Sequence, residues 1–166
     1  MSPIRPTTTP SPIGSHFSLP DAACPADGKP GVQPWEAAAF LAETAARYPD
    51  TYAGGWIDPQ GRVTARFTDA PGAYEEDLRS RFFASLCVGR APHTLAALKS
   101  LQTQLTTELL PVLEQYDRRF TSGAVNEPRN DVDVGIDLPA PKAMREELRR
   151  RFGDALHLIS SMRVVG

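Results

Sequence analysis

An internal repeat, spaced by about 70 residues, constrains the fold of this chain more than any other feature. The segment APGAYEEDLRSRF (70–82) matches APKAMREELRRRF (140–152) at a constant offset of 70. Upstream residues recur in the same order at an offset of 69, with Pro59, Val63, Ala65 and Phe67 facing Pro128, Val132, Val134 and Ile136. Self-similarity at a fixed spacing indicates that one supersecondary unit occurs twice.

Each copy of the repeat predicts a strand, a turn, a strand, a helix and a final strand. Apolar residues alternate with polar ones along the strands, and they recur every fourth residue along the helices. In the first copy we expect strands at Tyr52–Ile57, Arg62–Thr68 and Ser85–Val88, with a turn at Asp58–Gly61 and a helix at Ala73–Phe83. In the second copy we expect strands at Gly123–Asn126, Asp131–Asp137 and Ala155–Val165, with a turn at Glu127–Asn130 and a helix at Lys142–Phe152.

Two further helices complete the predicted architecture. One opens at Pro34 and ends at Tyr48, because Pro49 disfavours a helical residue before it. The other spans Thr94–Phe120, and Pro111 must kink or split it. We therefore predict an α+β fold of two ββαβ repeats joined by a long helix, with antiparallel or mixed sheets covered by helices on one face. Copy one takes about 52–88, the linking helix about 94–120 and copy two about 123–165. Strand order, and whether the two sheets merge, stay open.

Residues 1–33 differ in composition from the remainder, 34–166, which we expect to be the folded domain. This N-terminal segment is rich in proline and poor in periodic apolar residues, so we expect an extended or disordered leader. It contains Cys24, while Cys87 falls in an apolar strand. No C-x-x-C pair is present, and the two thiols are either separate or joined in a disulfide between leader and domain.

Composition excludes some classes of function. The formal net charge of −2 argues against a general nucleic-acid binder, which needs a surplus of Lys and Arg. No apolar run reaches the roughly 18 residues of a membrane span. The N-terminus lacks the apolar core of a signal peptide, so we expect a cytoplasmic protein as the chain is written, or a secreted or periplasmic one if a signal has been removed.

No catalytic constellation stands out, and we expect no enzymatic activity, no cofactor and no metal. The histidines are not spaced as metal ligands, and no G-x-S-x-G segment marks a nucleophile. Charge does differ between the copies on equivalent strand faces, with Asp131, Asp133 and Asp137 on the second and Arg62 and Arg66 on the first. This asymmetry predicts that the two faces meet each other or a partner's complementary patch. The alternatives are a solvated face and a cation-binding or acid–base site.

Several segments together are similar to a known family. The stretch YPDTYAGGWIDPQGRVTARFTDAP, then VNEPRNDVDVGIDLPAP and RRRFGDALHLI, resembles the pro-regions of secreted bacterial chymotrypsin-like serine proteases, of the alpha-lytic protease kind. The similarity covers about 34–159 and includes the Arg129-Asn130 turn before alternating valines. It implies an αβ module that helps a protease fold and then inhibits it. No protease domain with a Gly-Asp-Ser-Gly nucleophile segment follows, so the resemblance implies action in trans or a retained scaffold.

Resemblance and residues together predict a non-catalytic protein-binding module. Its partner would be a protein, with a serine protease as the expected candidate, met by addition of a strand to a sheet edge. Self-association is also open. We expect the contact residues to be Asp131, Asp133, Asp137, Arg62, Arg66, Arg129 and Asn130. The alternatives are a small enzyme or cation-binding domain that uses the Asp-rich face, and a structural domain of an assembly.

Overall fold

The computed structural model describes residues 31–82 and 84–161, which form an α+β fold of five helices and two three-stranded sheets. The elements in chain order are α1 (Pro34–Arg47), β1 (Tyr52–Ile57), β2 (Val63–Phe67), α2 (Gly72–Arg81), β3 (Leu86–Arg90), α3 (Leu95–Glu108), α4 (Leu110–Gln115), β4 (Phe120–Asn126), β5 (Asp131–Ile136), α5 (Lys142–Phe152) and β6 (Leu156–Ser160). This confirms the predicted fold class.

The two sheets have the same topology. Their strand orders are β1-β2-β3 and β4-β5-β6, and each hairpin is antiparallel. The third strand of each sheet pairs in parallel with the second strand of the hairpin. The strand order that the sequence left open is thereby determined: the second hairpin strand is central, and the sheets stay separate.

The hairpin turns are equivalent as well. Each has Pro at its second position and a residue with positive φ at its fourth, Gly61 at 78° and Asn130 at 58°. The N–H of the fourth residue donates to the carbonyl of the first, at 3.0 Å in the first turn and 3.2 Å in the second. Asn is one of the few residues besides Gly that adopts this left-handed backbone readily. The second turn therefore carries a side chain where the first has none.

Each sheet has its own apolar core on its helix-covered face. Helices α1 and α2 pack on the first sheet, where the rings of Phe67 and Tyr74 stack with centroids 3.8 Å apart. Helices α3, α4 and α5 pack on the second sheet, where Met144 and Leu148 of α5 lie against the valines of β5. The alternation of the central strands decides which face is buried, because successive side chains point to opposite faces.

Several predicted boundaries were wrong. The long helix is split at Leu109, as Pro111 required, and it does not reach Phe120, which is the first residue of β4 and pairs with Ile136. Asp137 lies one residue beyond β5, and Tyr48 is the C-cap of α1. The polar face of β2 is not fully exposed to water: Thr64 is buried and Arg66 is half-buried.

Other predictions concern residues outside the described ranges. These are almost all of the predicted leader with Cys24, the end of the predicted second helix at Phe83, and the final strand beyond Ser161. Cys87 is buried in β3 and is disulfide-bonded.

A polar network holds α1 against α2. The Tyr48 hydroxyl donates to the Asp77 carboxylate at 2.5 Å, and Arg81 and Arg47 pair with the same carboxylate at 3.1 and 3.2 Å. The hydrogen bond from Tyr48 lowers the pKa of Asp77 below its ordinary value; partial burial opposes this, and the two guanidinium groups add to the lowering. The folded state therefore favours the charged form of Asp77.

This network predicts acid sensitivity in the first unit. Because the pKa of Asp77 is lower in the folded than in the unfolded chain, its contribution is complete above the unfolded value of about 3.9 and is lost as the pH falls through the folded value. We expect Asp77→Asn to lower the free energy of unfolding by about 1 kcal/mol at pH 7 and by less at pH 3. Urea unfolding at both pH values checks this, with Glu76→Gln on the exposed face of the same helix as control. An equal loss at both pH values contradicts it.

Candidate protein-interaction surface

The second hairpin turn joins the two halves of the molecule through Asn130. This side chain is 3% exposed. Its amide nitrogen donates to the carbonyl of Ala53 at 3.0 Å and to that of His93 at 2.8 Å, and its amide oxygen accepts the His93 N–H at 2.8 Å. Both N–H groups and the carbonyl oxygen are thus used, as burial of an amide demands. The positive φ of Asn130 is what aims the side chain across the junction.

Two neighbours of Asn130 extend the junction. The Glu127 carboxylate accepts the N–H of Gly55 at 3.3 Å, and the Arg66 guanidinium donates to the carbonyls of Glu127 and Pro128. Burial lowers the pKa of Arg66, and the nearby Glu127 carboxylate partly offsets this. Burial and the same carboxylate raise the pKa of Tyr52. The charged face of the first sheet therefore does meet the second unit, but at its turn.

The second hairpin turn covers the outer edge of β1. Gly55 and Ala53 are edge-strand residues whose backbone groups bond to the Glu127 and Asn130 side chains. Gly55 also has no space for a side chain, since an added Cβ would lie 2.5 Å from Leu41 and 2.6 Å from the Thr64 carbonyl. An edge whose backbone groups are already bonded is a poor template for a further strand.

The predicted acidic face contains an ionic cluster of its own. Arg129 Nε lies 2.9 Å from an Asp131 carboxylate oxygen, and the same guanidinium contacts Asp133. Asp133 also accepts from Asn126 at 3.2 Å and lies 3.1 Å from the ring of His157 on β6. The two carboxylates are therefore neutralised within their own sheet. They are not paired with Arg62 or Arg66.

The remaining predicted contact residues lie apart from this cluster. Arg62 pairs with Asp58 of its own hairpin at 3.0 Å. Asp137, beyond the end of β5, accepts the N–H groups of Arg119 and Leu138 at 2.9 and 3.0 Å, and these bonds lower its pKa. The seven predicted residues thus fall into a junction, an ionic cluster, the ion pair of Arg62 with Asp58 and the backbone contacts of Asp137.

Strand β6 differs most from its counterpart in the first unit. Strand β3 is buried, with Leu86 at 1% and Val88 at 0% exposed, whereas Leu156 and Leu158 are half-buried. Ile159, which is 44% exposed, stands where β3 has the buried Gly89. An isoleucine in place of a glycine at an offset of 70 was the sequence signal for this site.

The backbone of β6 is directed outward at alternate residues. The Ala155 carbonyl and the Ser161 N–H bond to β5, at 2.8 and 2.9 Å. Because backbone groups alternate in direction along a strand, those of Leu156 and Leu158 point away from β5 towards the sheet edge. Within residues 31–82 and 84–161, no side chain is hydrogen-bonded to these groups.

The other edge of this sheet is partly covered. Helix α3 lies against β4, and the Gln102 amide of α3 donates to the carbonyl of Gly123 at 3.0 Å. Of the two edges of the second sheet, β6 is therefore the one that exposes both apolar side-chain surface and outward backbone groups.

Neither known chemistry nor known relatives assign a function to these surfaces. In the described part of the chain, no group of three or more His, Cys, Asp or Glu residues is arranged to hold a metal ion, and no helix is long and apolar enough to cross a membrane. No protein-family model matches the chain, and no curated protein matches it significantly.

The contacts of Asn130 at the junction predict that replacing it lowers the free energy of unfolding. Asn130→Asp keeps the shape but places carboxylate oxygen against the carbonyls of Ala53 and His93, and Asn130→Gly keeps the backbone freedom but leaves all three backbone groups unbonded. We expect each to lower the free energy of unfolding by about 2–4 kcal/mol, since a buried unsatisfied polar group costs roughly 1–3 kcal/mol. Chemical denaturation measures this. Wild-type stability of Asn130→Gly would show that only the backbone conformation matters.

The ionic cluster predicts that replacing Arg129 lowers the stability of the fold. Arg129→Gln leaves Asp131 and Asp133 as like charges on adjacent positions of one strand face, and we expect a loss of about 1–3 kcal/mol that added salt reduces. Thermal unfolding at low and high ionic strength is the measurement. Arg149→Gln is the matched control, because Arg149 is exposed and has no ionic partner among the described residues. Equal effects of both substitutions would contradict the prediction.

Proposed function

We propose that this protein is a non-catalytic protein-binding module that receives a strand of its partner on the outer edge of β6. One observation carries this: β6 is half-buried to exposed and has outward-directed backbone groups at Leu156 and Leu158, whereas the equivalent strand β3 is buried from Leu86 to Gly89. Strand addition joins two chains through main-chain hydrogen bonds, and the alternate side chains supply specificity.

The state of the other edges supports the same proposal. Side chains from elsewhere in the chain bond to the backbone of β1 and of β4, which blunts both as templates. The contact of Asp133 with His157 joins β5 and β6 on the open face of the sheet. It thereby orders the open face beside the edge, so less conformational entropy is lost when a strand adds.

We further propose that the partner is a chymotrypsin-like serine protease, on which the module acts in trans as an inhibitor or a folding aid. The support is the resemblance of residues 34–159 to protease pro-regions. Neutralisation of Asp131 and Asp133 by Arg129 disfavours the cation-binding alternative, because hard cations need available carboxylate oxygens.

A direct test uses mature alpha-lytic protease as the probe. The chain should slow hydrolysis of a chromogenic peptide and raise the yield of active enzyme refolded from denaturant. Ile159→Lys, which places a charge in the proposed contact, should weaken inhibition about tenfold or more, since truncating or charging an interface centre has effects of this size.

Ala124→Lys is the matched control, since Ala124 is exposed on the opposite edge strand of the same sheet. It should leave inhibition unchanged. Equal weakening by both variants would place the contact elsewhere than β6. Absence of both inhibition and improved refolding would overturn the protease as partner.

A further inference from the structure

Helix α5 covers the β6 side of the second sheet. Helix α3 lies against β4 and β5, whereas α5 lies against β6. One flank of α5 faces back towards α4, because the Glu147 carboxylate accepts the hydroxyl of Tyr116, the C-cap of α4, at 3.0 Å. The opposite flank of α5 therefore overhangs the outer edge of β6.

Two arginines lie on that outer flank. Arg145 and Arg149 are two residues before and two residues after Glu147, and a separation of two residues is about 200° around a helix. Both are exposed. Neither guanidinium has an ionic or hydrogen-bonded partner among residues 31–82 and 84–161. The acidic residues of α5 are engaged elsewhere, Glu146 with Lys142 and Glu147 with Arg151.

The first unit shows that this helix position reaches the edge strand. Arg79 occupies on α2 the place that Arg149 occupies on α5, at an offset of 70. Its guanidinium donates to the carbonyl of Leu86 at 3.4 Å, a group on the outer side of β3. In the second unit, the equivalent guanidinium of Arg149 makes no such bond to the residues that the structure describes.

The neighbouring position has opposite charge in the two units. Arg145 stands where α2 has Glu75. The outer flank of α5 thus adds positive charge beside the open edge strand, with no ionic partner among the described residues, although the whole chain has a formal net charge of −2. An unpaired charge beside an open edge selects partners by complementarity more than it adds affinity.

We propose that Arg145 and Arg149 select a partner strand with acidic side chains on its helix-facing side. This rests on the proposed function, since it names the chemistry of the segment that adds to β6. A second copy of this chain fits less well. Pairing of two β6 strands would bring two cationic flanks together, and like charges at a contact oppose association.

The experiment uses two fluorescein-labelled heptapeptides as probes, one alternating Glu with Val and one alternating Lys with Val. Fluorescence anisotropy with the full chain should show the Glu peptide bound about threefold to tenfold more tightly, as two surface ion pairs allow. The double reversal Arg145→Glu/Arg149→Glu should invert this preference. The matched control is Lys99→Glu/Arg119→Glu, exposed residues on α3 and before β4 at the other side of the sheet, which should keep it.

Each outcome decides the proposal. Equal binding of the two peptides, or a preference that the Arg145/Arg149 reversal leaves unchanged, overturns it while the proposed function stands. Binding of neither peptide also overturns it, and the proposed function is then judged by the protease assay, which uses no labelled peptide. Dimers of the chain that Ile159→Lys abolishes, seen by sedimentation velocity, would mean that a second copy occupies β6 and would overturn it too.

Discussion

The buried amide of Asn130 is the interaction on which the arrangement of the two halves depends. Each unit has its own apolar core, and besides the packing of Leu95 of α3 against the first core, the contacts between the units centre on the second hairpin turn. The Asn130 side chain bonds to backbone groups of both β1 and the loop before α3. Hydrogen bonds depend on direction as well as distance, and three of them on one planar amide define an orientation.

The consequences of that contact reach the proposed binding edge. Docking of the second turn caps β1, so the first unit has lost one of its edges to the junction. Strand β3, at the other edge of that sheet, is buried. Both edge strands of the first sheet are therefore covered, whereas the second sheet has an exposed edge at β6. Two units with the same topology therefore differ at their turns and edges, because equivalent positions carry different residues there, such as Gly61 and Asn130 or Gly89 and Ile159.

How far the site was predictable varies with the kind of interaction. Arg129 and Asn130 were expected among the residues that contact a partner, and the structure places Arg129 in the ionic cluster of the second sheet and Asn130 at the junction. The charge asymmetry between Arg66 and Asp133 is present in the sequence, yet it does not produce a pair, since each charge has a nearer partner. The role of His93 had no sequence signal, because its backbone does the bonding and any residue type has that backbone.

The sequence by itself determined the α+β class, the repeated ββαβ order, both Pro-containing turns and the split at Pro111, because these depend on local periodicity and on backbone restrictions that neighbouring residues impose. Only the tertiary structure decided which strand is central, which polar face is covered and which edge stays open. Those features depend on contacts between residues far apart in the chain, such as Asn130 with Ala53, and alternation along a strand gives the side that a residue faces without giving what lies opposite.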